Sequence, residues 1–329
     1  MIHTDLYKNI LIKPIDEGAN ILRIISGYAT AAMAFHHLQD LKLYRNDFKV
    51  SLLVGMCPVD GLSVSNHRGF QSIVESEYSE NFSCSYIFKH PPVHSKIYIW
   101  YKGSDFYKAF IGSANYTQNA FSTNQRELLA EIKDGDIDSY YKFIEKDSIF
   151  CSHIDTENLI KIYNDRNYYK HHLHEELIEA GHLDLHSCSN NVNHVTIPLL
   201  STRTGEVQNT AGLNWGQREG REPNQAYIQL PPKVYRSDFF PLRTQHFTVV
   251  TDDAKTFICT RAQKSEEGQA IETPHNNSLL GEYFRNRLGL PNGAPIKKAD
   301  LERYGRTDVT FYKFDNENYY MDFSVSKNG

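Results

Sequence analysis

Hydrophobic and polar positions follow two different rhythms along this chain. In the first half, short apolar runs alternate with amphipathic stretches. Asn20–Ser26, Phe48–Val54, Cys84–Phe88, Val93–Tyr101, Tyr107–Gly112 and Glu127–Lys133 have the length and the aromatic or β-branched content of strands. Thr30–Leu43, Gly69–Tyr78, Ile137–Lys146 and Thr156–Ala180 read as helices. Strands alternating with helices predict an α/β sandwich, a mixed sheet flanked by helices, with Val93–Tyr101 near its centre. Beyond the polar, turn-forming stretch Gly181–Asn193 the rhythm changes. His194–Leu200, Ala226–Leu230, Gln245–Val250, Thr256–Arg261, Thr307–Phe314 and Tyr319–Val325 are short strands between loops rich in Gly, Pro and Asn. Only Ser278–Leu288 and Lys298–Tyr304 look helical there. The expectation is two domains, 1–185 and 190–329, the second mostly β and shaped as a small barrel.

Composition narrows the class. With 329 residues, 40% of them apolar and 12% aromatic, each domain can bury its own core. No apolar run approaches the length of a membrane span, and the start Met1-Ile2-His3-Thr4-Asp5 has no signal-peptide pattern, so a cytoplasmic protein is expected. Five scattered cysteines (Cys57, Cys84, Cys151, Cys188, Cys259) form no Cys-x-x-Cys pair and predict reduced thiols, with no disulfide frame and no zinc site. The net charge of −5 argues against indiscriminate polyanion binding. Basic residues nevertheless outnumber acidic ones between about 201 and 306, which places any nucleic-acid surface in the second domain and around any catalytic groove.

The candidate chemistry lies in one segment: His94-Ser95-Lys96, then Gly112-Ser113-Ala114-Asn115, then Glu127. A histidine and a lysine two apart on a strand share a face. That face offers an imidazole near neutral pKa beside a fixed ammonium, with an amide donor and a carboxylate close by. Such a set suits attack on a phosphodiester without a metal. Other clusters compete poorly. His171 and Glu175 have metal-ligand spacing but are read as a solvated helix face, and no Walker-type loop exists, so the chain itself is not expected to bind ATP.

The pattern His94-x-Lys96, Gly112-Ser113-x-Asn115 and Asn124-Gln-Arg-Glu127 resembles that of the phospholipase D superfamily. The resemblance implies a covalent phosphohistidine on His94, phosphate binding by Lys96 and Asn115, an imidazole oriented by Glu127, and no cofactor in the chemical step. One position departs: Tyr101 stands where the superfamily usually has an Asp, a change that restriction nucleases of this kind also tolerate. The reaction wants two His-x-Lys units and the chain holds one. A homodimer sharing one centre across a two-fold axis is therefore expected.

In the second domain two loops combine arginines and amides with glycines. The first offers Asn214, Trp215, Gln217, Arg218, Arg221 and Asn224; the second offers Arg261, Gln263, Lys264, Asn276 and Asn277. Arginine reads guanine bidentately, asparagine and glutamine read adenine, and lysine holds phosphate. Two such loops on a small barrel resemble the B-three pseudobarrel. The order, nuclease first and reader second, is similar to the NgoFVII-type restriction endonucleases. That resemblance implies a restriction endonuclease acting on double-stranded DNA and, for some members, a separate ATPase or helicase-like subunit through which Mg-ATP would enter. Two other readings stay open: a nonspecific phosphodiesterase or lipid hydrolase, and a DNA-binding regulator with a vestigial nuclease fold.

Overall fold

The computed structural model describes the chain except residues 77, 123–124, 134–135, 165–192, 243, 263–267 and 326–329. It divides into two compact units, Met1–Tyr168 and Tyr169–Gly329. The expected boundary at 181–193 falls almost entirely outside the described residues.

The first unit is built on a seven-stranded mixed sheet ordered β7-β6-β5-β1-β2-β4-β8. Here β1 is Ile21–Ser26, β2 Lys49–Val54, β4 Phe82–Ile87, β5 Ile97–Lys102, β6 Asp105–Gly112, β7 Leu129–Ile132 and β8 Ser148–Phe150. Strands β1, β2 and β4 run parallel, and β5 joins β1 antiparallel. The apolar run of β5 is covered on both faces, which is why it lacks alternation. Ile97, Ile99 and Tyr101 pack with Ile25, Leu53, Tyr141 and Ile144, the last two from the helix Ile137–Glu145. On the other face Tyr98 meets Phe121 and Tyr116, and the Trp100 indole donates to the Ile10 carbonyl. The helices Ala31–Tyr44 and Val64–Val74 pack together, capped by the Thr30 and Ser63 hydroxyls.

Several expectations need correction. The helix expected at Gly69–Tyr78 runs Val64–Val74, because Ser63 caps it and the polar Ser65, Asn66 and His67 are buried, with Asn66 Oδ1 accepting from Ala31 N–H. The helix expected from Thr156 stops at Leu159; Ile162–Tyr163 (β9) then pairs parallel with Leu62–Ser63 (β3). The rest of that stretch, with His171 and Glu175, lies outside the described residues. A helical run through Tyr7–Ile12 and Lys13–Asp16 carried no sequence expectation.

The second unit contains one sheet ordered β10-β15-β16-β12-β13-β14-β11. Its strands are β10 His194–Pro198, β11 Ile228–Gln229, β12 His246–Thr251, β13 Thr256–Ala262, β14 Ala270–Glu272, β15 Asp308–Lys313 and β16 Asn318–Asp322. The two edge strands β10 and β11 both send a residue, Ile197 and Ile228, into one core with Phe247, Phe311 and Met321. A flat sheet would hold its outermost strands far apart, so this sheet curls into a nearly closed barrel. The expected helices Ser278–Leu288 and Lys298–Tyr304 form, the first burying Leu280, Phe284 and Leu288 in the same core. All four described cysteines are buried and unbridged. Among the described residues no helix is long and apolar enough to cross a membrane.

Candidate active site

His94 and Lys96 do not lie on a strand, as their spacing led us to expect. The ladder begins one residue later, at Ile97, which pairs with Ile25 and Ile111. Beyond Ile25 the β1 chain turns away through Gly27 and Tyr28, so the segment before Ile97 has lost its partner on that side. It is held instead by Gly55, whose carbonyl accepts from Val93 N–H at 3.0 Å. The approach is so close that a Cβ on Gly55 would lie 1.9 Å from the Val93 carbonyl oxygen. No side chain but hydrogen fits there.

The two residues nevertheless meet. Lys96 Nζ stands 3.0 Å from His94 Nε2 and 2.8 Å from the His94 carbonyl oxygen. An ammonium has only donors, so Nε2 must accept and the neutral imidazole carries its proton on Nδ1. The lone pair of Nε2 is thereby directed at the Lys96 ammonium. Lys96 is buried to 7% exposure, and desolvation holds its pKa below the ordinary lysine value while the Glu127 charge opposes that shift.

Asn115 comes near the imidazole at Gly27. A Cβ on Gly27 would touch both His94 Cδ2, at 3.0 Å, and Asn115 Oδ1, at 3.5 Å, which places the imidazole and the amide together beside that glycine. The segment 114–116 is pinned from three directions. Tyr98 Oη donates to the Ala114 carbonyl, Thr30 N–H to the Tyr116 carbonyl, and Tyr116 N–H to Ser26 Oγ. Behind them His37, fully buried, donates from Nε2 to the Leu11 carbonyl and accepts from Tyr116 Oη at Nδ1 (2.8 Å). None of Ser26, His37, Tyr98 and Tyr116 stood out in the sequence, where they read as ordinary strand and helix residues.

Gly112 and Ser113 bring Glu127 in. A Cβ on Gly112 would fall 2.0 Å from the Leu128 carbonyl oxygen, so glycine lets the two segments touch. The Ser113 hydroxyl donates to the Glu127 carboxylate and accepts from Leu128 N–H at 3.1 Å. The carboxylate, expected on an imidazole, thus takes a hydroxyl in the single chain and lends its charge to Lys96. Asn124, quoted with this motif, lies outside the described residues.

The departure at Tyr101 is remote from this cleft. Tyr101 pairs with Ile21 at the opposite end of the β1–β5 ladder from Ile25 and Ile97. Its hydroxyl donates to Asp138, which also binds Arg23 at 2.6 Å, and the Arg23 guanidinium stacks 5.0 Å over the Tyr101 ring. A carboxylate therefore does stand at that end of the strand, supplied by Asp138 from the helix Ile137–Glu145.

The reader loops sort into two groups. Asn214, Gln217, Asn224 and Arg261, expected at the bases, are instead spent within the domain. Asn214 spans the Gln208 and Ile296 carbonyls and accepts from Ile296 N–H, and Gln217 donates to Pro223 and Gly293. Asn224 Oδ1 accepts from Gly293 N–H, and Arg261, 3% exposed, donates to the Gly268, Phe240 and Tyr235 carbonyls. Buried polar groups must be paired, and loops this rich in carbonyls consume the amides meant to read outward. Arg218 and Arg221 are exposed, the latter stacked 3.7 Å over the Trp215 ring. Asn276 is exposed and caps Ser278 N–H, and Asn277 precedes the helix Ser278–Leu288, its side chain half-buried. Gln263 and Lys264 lie outside the described residues. Among the described residues no group of three or more His, Cys, Asp or Glu is arranged to hold a metal ion.

Comparison with known proteins matches this division. No curated protein matches the chain. Solved structures similar over part of it include two with a TM-score of 0.29 each. NucT from Helicobacter pylori is 20% identical and covers 43% of this chain and 89% of its own. Polyphosphate kinase from Porphyromonas gingivalis is 12% identical and covers 52% of this chain and 26% of its own. The family models are more telling. The NgoFVII restriction endonuclease N-terminal PLD domain matches residues 4–158, and the NgoFVII C-terminal B3-like DNA-binding domain matches residues 188–315. Together they take in both units in the expected order, and the chain belongs to the NgoFVII restriction endonuclease family.

Proposed function

We propose that this protein hydrolyses phosphodiester bonds of double-stranded DNA through a phosphohistidine, at or near a sequence read by its second unit. The observation that carries the reading is the contact of Lys96 Nζ with His94 Nε2. It leaves a nucleophilic lone pair on the nitrogen nearest a fixed positive charge. When a phosphate enters, the ammonium moves its donation from Nε2 to a phosphoryl oxygen, which frees the lone pair and neutralises the developing charge together. The Nε2–P bond forms, the P–O bond to the leaving strand breaks, and that oxygen takes a proton from a second imidazole that enters the step as the imidazolium. Water then attacks phosphorus, the second imidazole accepts its proton, and the P–N bond breaks to regenerate His94. The Asn115 amide and Lys96 hold the phosphate throughout.

The single chain offers one His-x-Lys, so the second imidazole is His94 of a partner protomer in a homodimer whose centre straddles the two-fold axis. The chemical step takes no metal in this scheme. Any Mg-ATP requirement enters with a separate ATPase subunit. Sequence reading falls to Arg218, Arg221 and the Trp215 stack, with Asn276 and Asn277 on the neighbouring loop.

The test is plasmid cleavage by purified protein, methylated or unmethylated, with and without EDTA, beside His94→Ala. We expect unmethylated plasmid to be cut into discrete fragments in EDTA. The variant should lose more than ~10²-fold in rate while shifting DNA in gels as the wild type does. A His94→Ala protein that cuts as before overturns the mechanism, and random nicking would leave the nonspecific phosphodiesterase as the better reading.

A further inference from the structure

Asn115 serves an anion only if its NH2 end, and not its carbonyl oxygen, faces the cleft. Half a turn about the terminal torsion exchanges the two, so neighbouring groups decide the orientation. The Tyr28 N–H donates to Oδ1 at 3.2 Å, which directs Nδ2 away from that backbone. The turn presenting this N–H is tied by one side chain. Ser26, at the end of β1, is fully buried, and its Oγ donates to the Tyr28 carbonyl at 2.5 Å. The same oxygen accepts from Tyr116 N–H at 2.9 Å and lies 3.4 Å from Asn115 Oδ1. A single hydroxyl thus joins the turn that carries the donor to the segment that carries the acceptor.

We propose that Ser26 is a positioning residue: it fixes the Asn115 amide with Nδ2 toward the phosphoryl group. The inference rests on the phosphodiesterase reading above and adds a group that touches no substrate. Two features separate it from plain packing. Oγ bonds the backbone on both sides of the amide it orients, Tyr28 before and Tyr116 after. Oγ also lies 3.4 Å from Oδ1 of Asn115 itself.

The test is a double-mutant cycle of Ser26→Ala and Asn115→Ala in the full chain, read by kcat on bis(p-nitrophenyl) phosphate and by orthovanadate affinity. Ser26→Ala alone should lower both about tenfold, less than the ~10²-fold of deleting a donor outright. On the Asn115→Ala background it should change neither by more than about twofold, because the group it acts through is gone. Thermal melts set an assay temperature at which all four proteins are folded. If Ser26→Ala does not fold, Ser26→Cys, which weakens both hydrogen bonds, takes its place. An unchanged kcat and affinity overturns the proposal, as does an equal loss on both backgrounds, which would mark Ser26 as structural. If the wild type binds vanadate with the same coupling yet hydrolyses no diester, the phosphodiesterase reading fails and the placement of Asn115 stands.

Discussion

Lys96 keeps its charge under opposed influences. Burial favours the neutral amine, and the Glu127 carboxylate favours the ammonium, with burial the stronger. In the proposed reaction the ammonium is the working form, so turnover should fall as pH rises through a pKa below the ordinary 10.5 of lysine. Replacing Glu127 by Gln removes the stabilising charge and should move that alkaline limb to still lower pH, which a kcat–pH profile on a small diester would detect. His37 shows the converse for stability. Burial drives its pKa from 6.5 down to about 3, so the unfolded chain binds a proton that the folded one refuses. Stability should be full above 6.5 and be lost progressively as pH falls toward 3; urea melts of wild type and His37→Gln at pH 7 and pH 4.5 would show the variant less acid-sensitive. Tyr101 makes a third case. Its hydroxyl serves Asp138 at the end of the ladder away from the cleft, so Tyr101→Phe should cost about 1–2 kcal/mol of stability and leave kcat unchanged. A fall in kcat there would mean that the missing motif aspartate had a catalytic successor.

Elements meet at glycines where the cleft is built. Gly55 admits the Val93 carbonyl, and Gly112 admits the Leu128 carbonyl. Gly55→Ala should therefore destabilise by ~1–3 kcal/mol and displace the His94 segment, lowering kcat even under folding conditions. Gly103, in the hairpin between β5 and β6, has φ +62° and open space around it. Gly103→Ala strains only its own backbone, costs about 1 kcal/mol, and should leave turnover intact. Equal kcat effects of the two alanines, measured beside urea melts, would refute this account of how His94 is placed. The same dependence on contacts explains what periodicity missed. Ser65, Asn66 and His67 look like loop residues until Ser63, the neighbouring helix N-terminus and Tyr86 are seen to meet their polar atoms. Asn214 and Arg261 look like DNA readers until their carbonyl partners are found.

For the whole molecule, the proposed homodimer would make activity a property of the assembled pair, because each chain holds one His-x-Lys. If two His94 side chains serve one centre, a mixed dimer of wild type and His94→Ala lacks either the nucleophile or the proton donor. Co-refolding the two at varied ratios should then give activity proportional to the square of the wild-type fraction. A linear dependence, or full turnover by protein that sediments as a monomer, would remove the shared centre. The exposed apolar residues Ile111 and Leu128, beside Gly112 and Ser113, are natural members of such an interface.

Residue order by itself determined the class of this protein. The alternation of strands with helices, the change of rhythm into a β-rich second half, and the approach of Lys96 to His94 survive translation into structure, because periodicity and short spacings are local properties of a chain, while the helix at Val64–Val74 and the strand start at Ile97 depart from the expected bounds. Where the strand under His94 begins, which carboxylate answers for Tyr101, and which loop amides are free to face DNA were decided only by tertiary contacts. Each depends on a partner distant in sequence: β1 ending at Ser26, Asp138 arriving on a later helix, Ile296 and Gly293 reaching back to Asn214 and Asn224. A polar side chain shows in sequence what it can bond, and only the fold shows what it has already bonded.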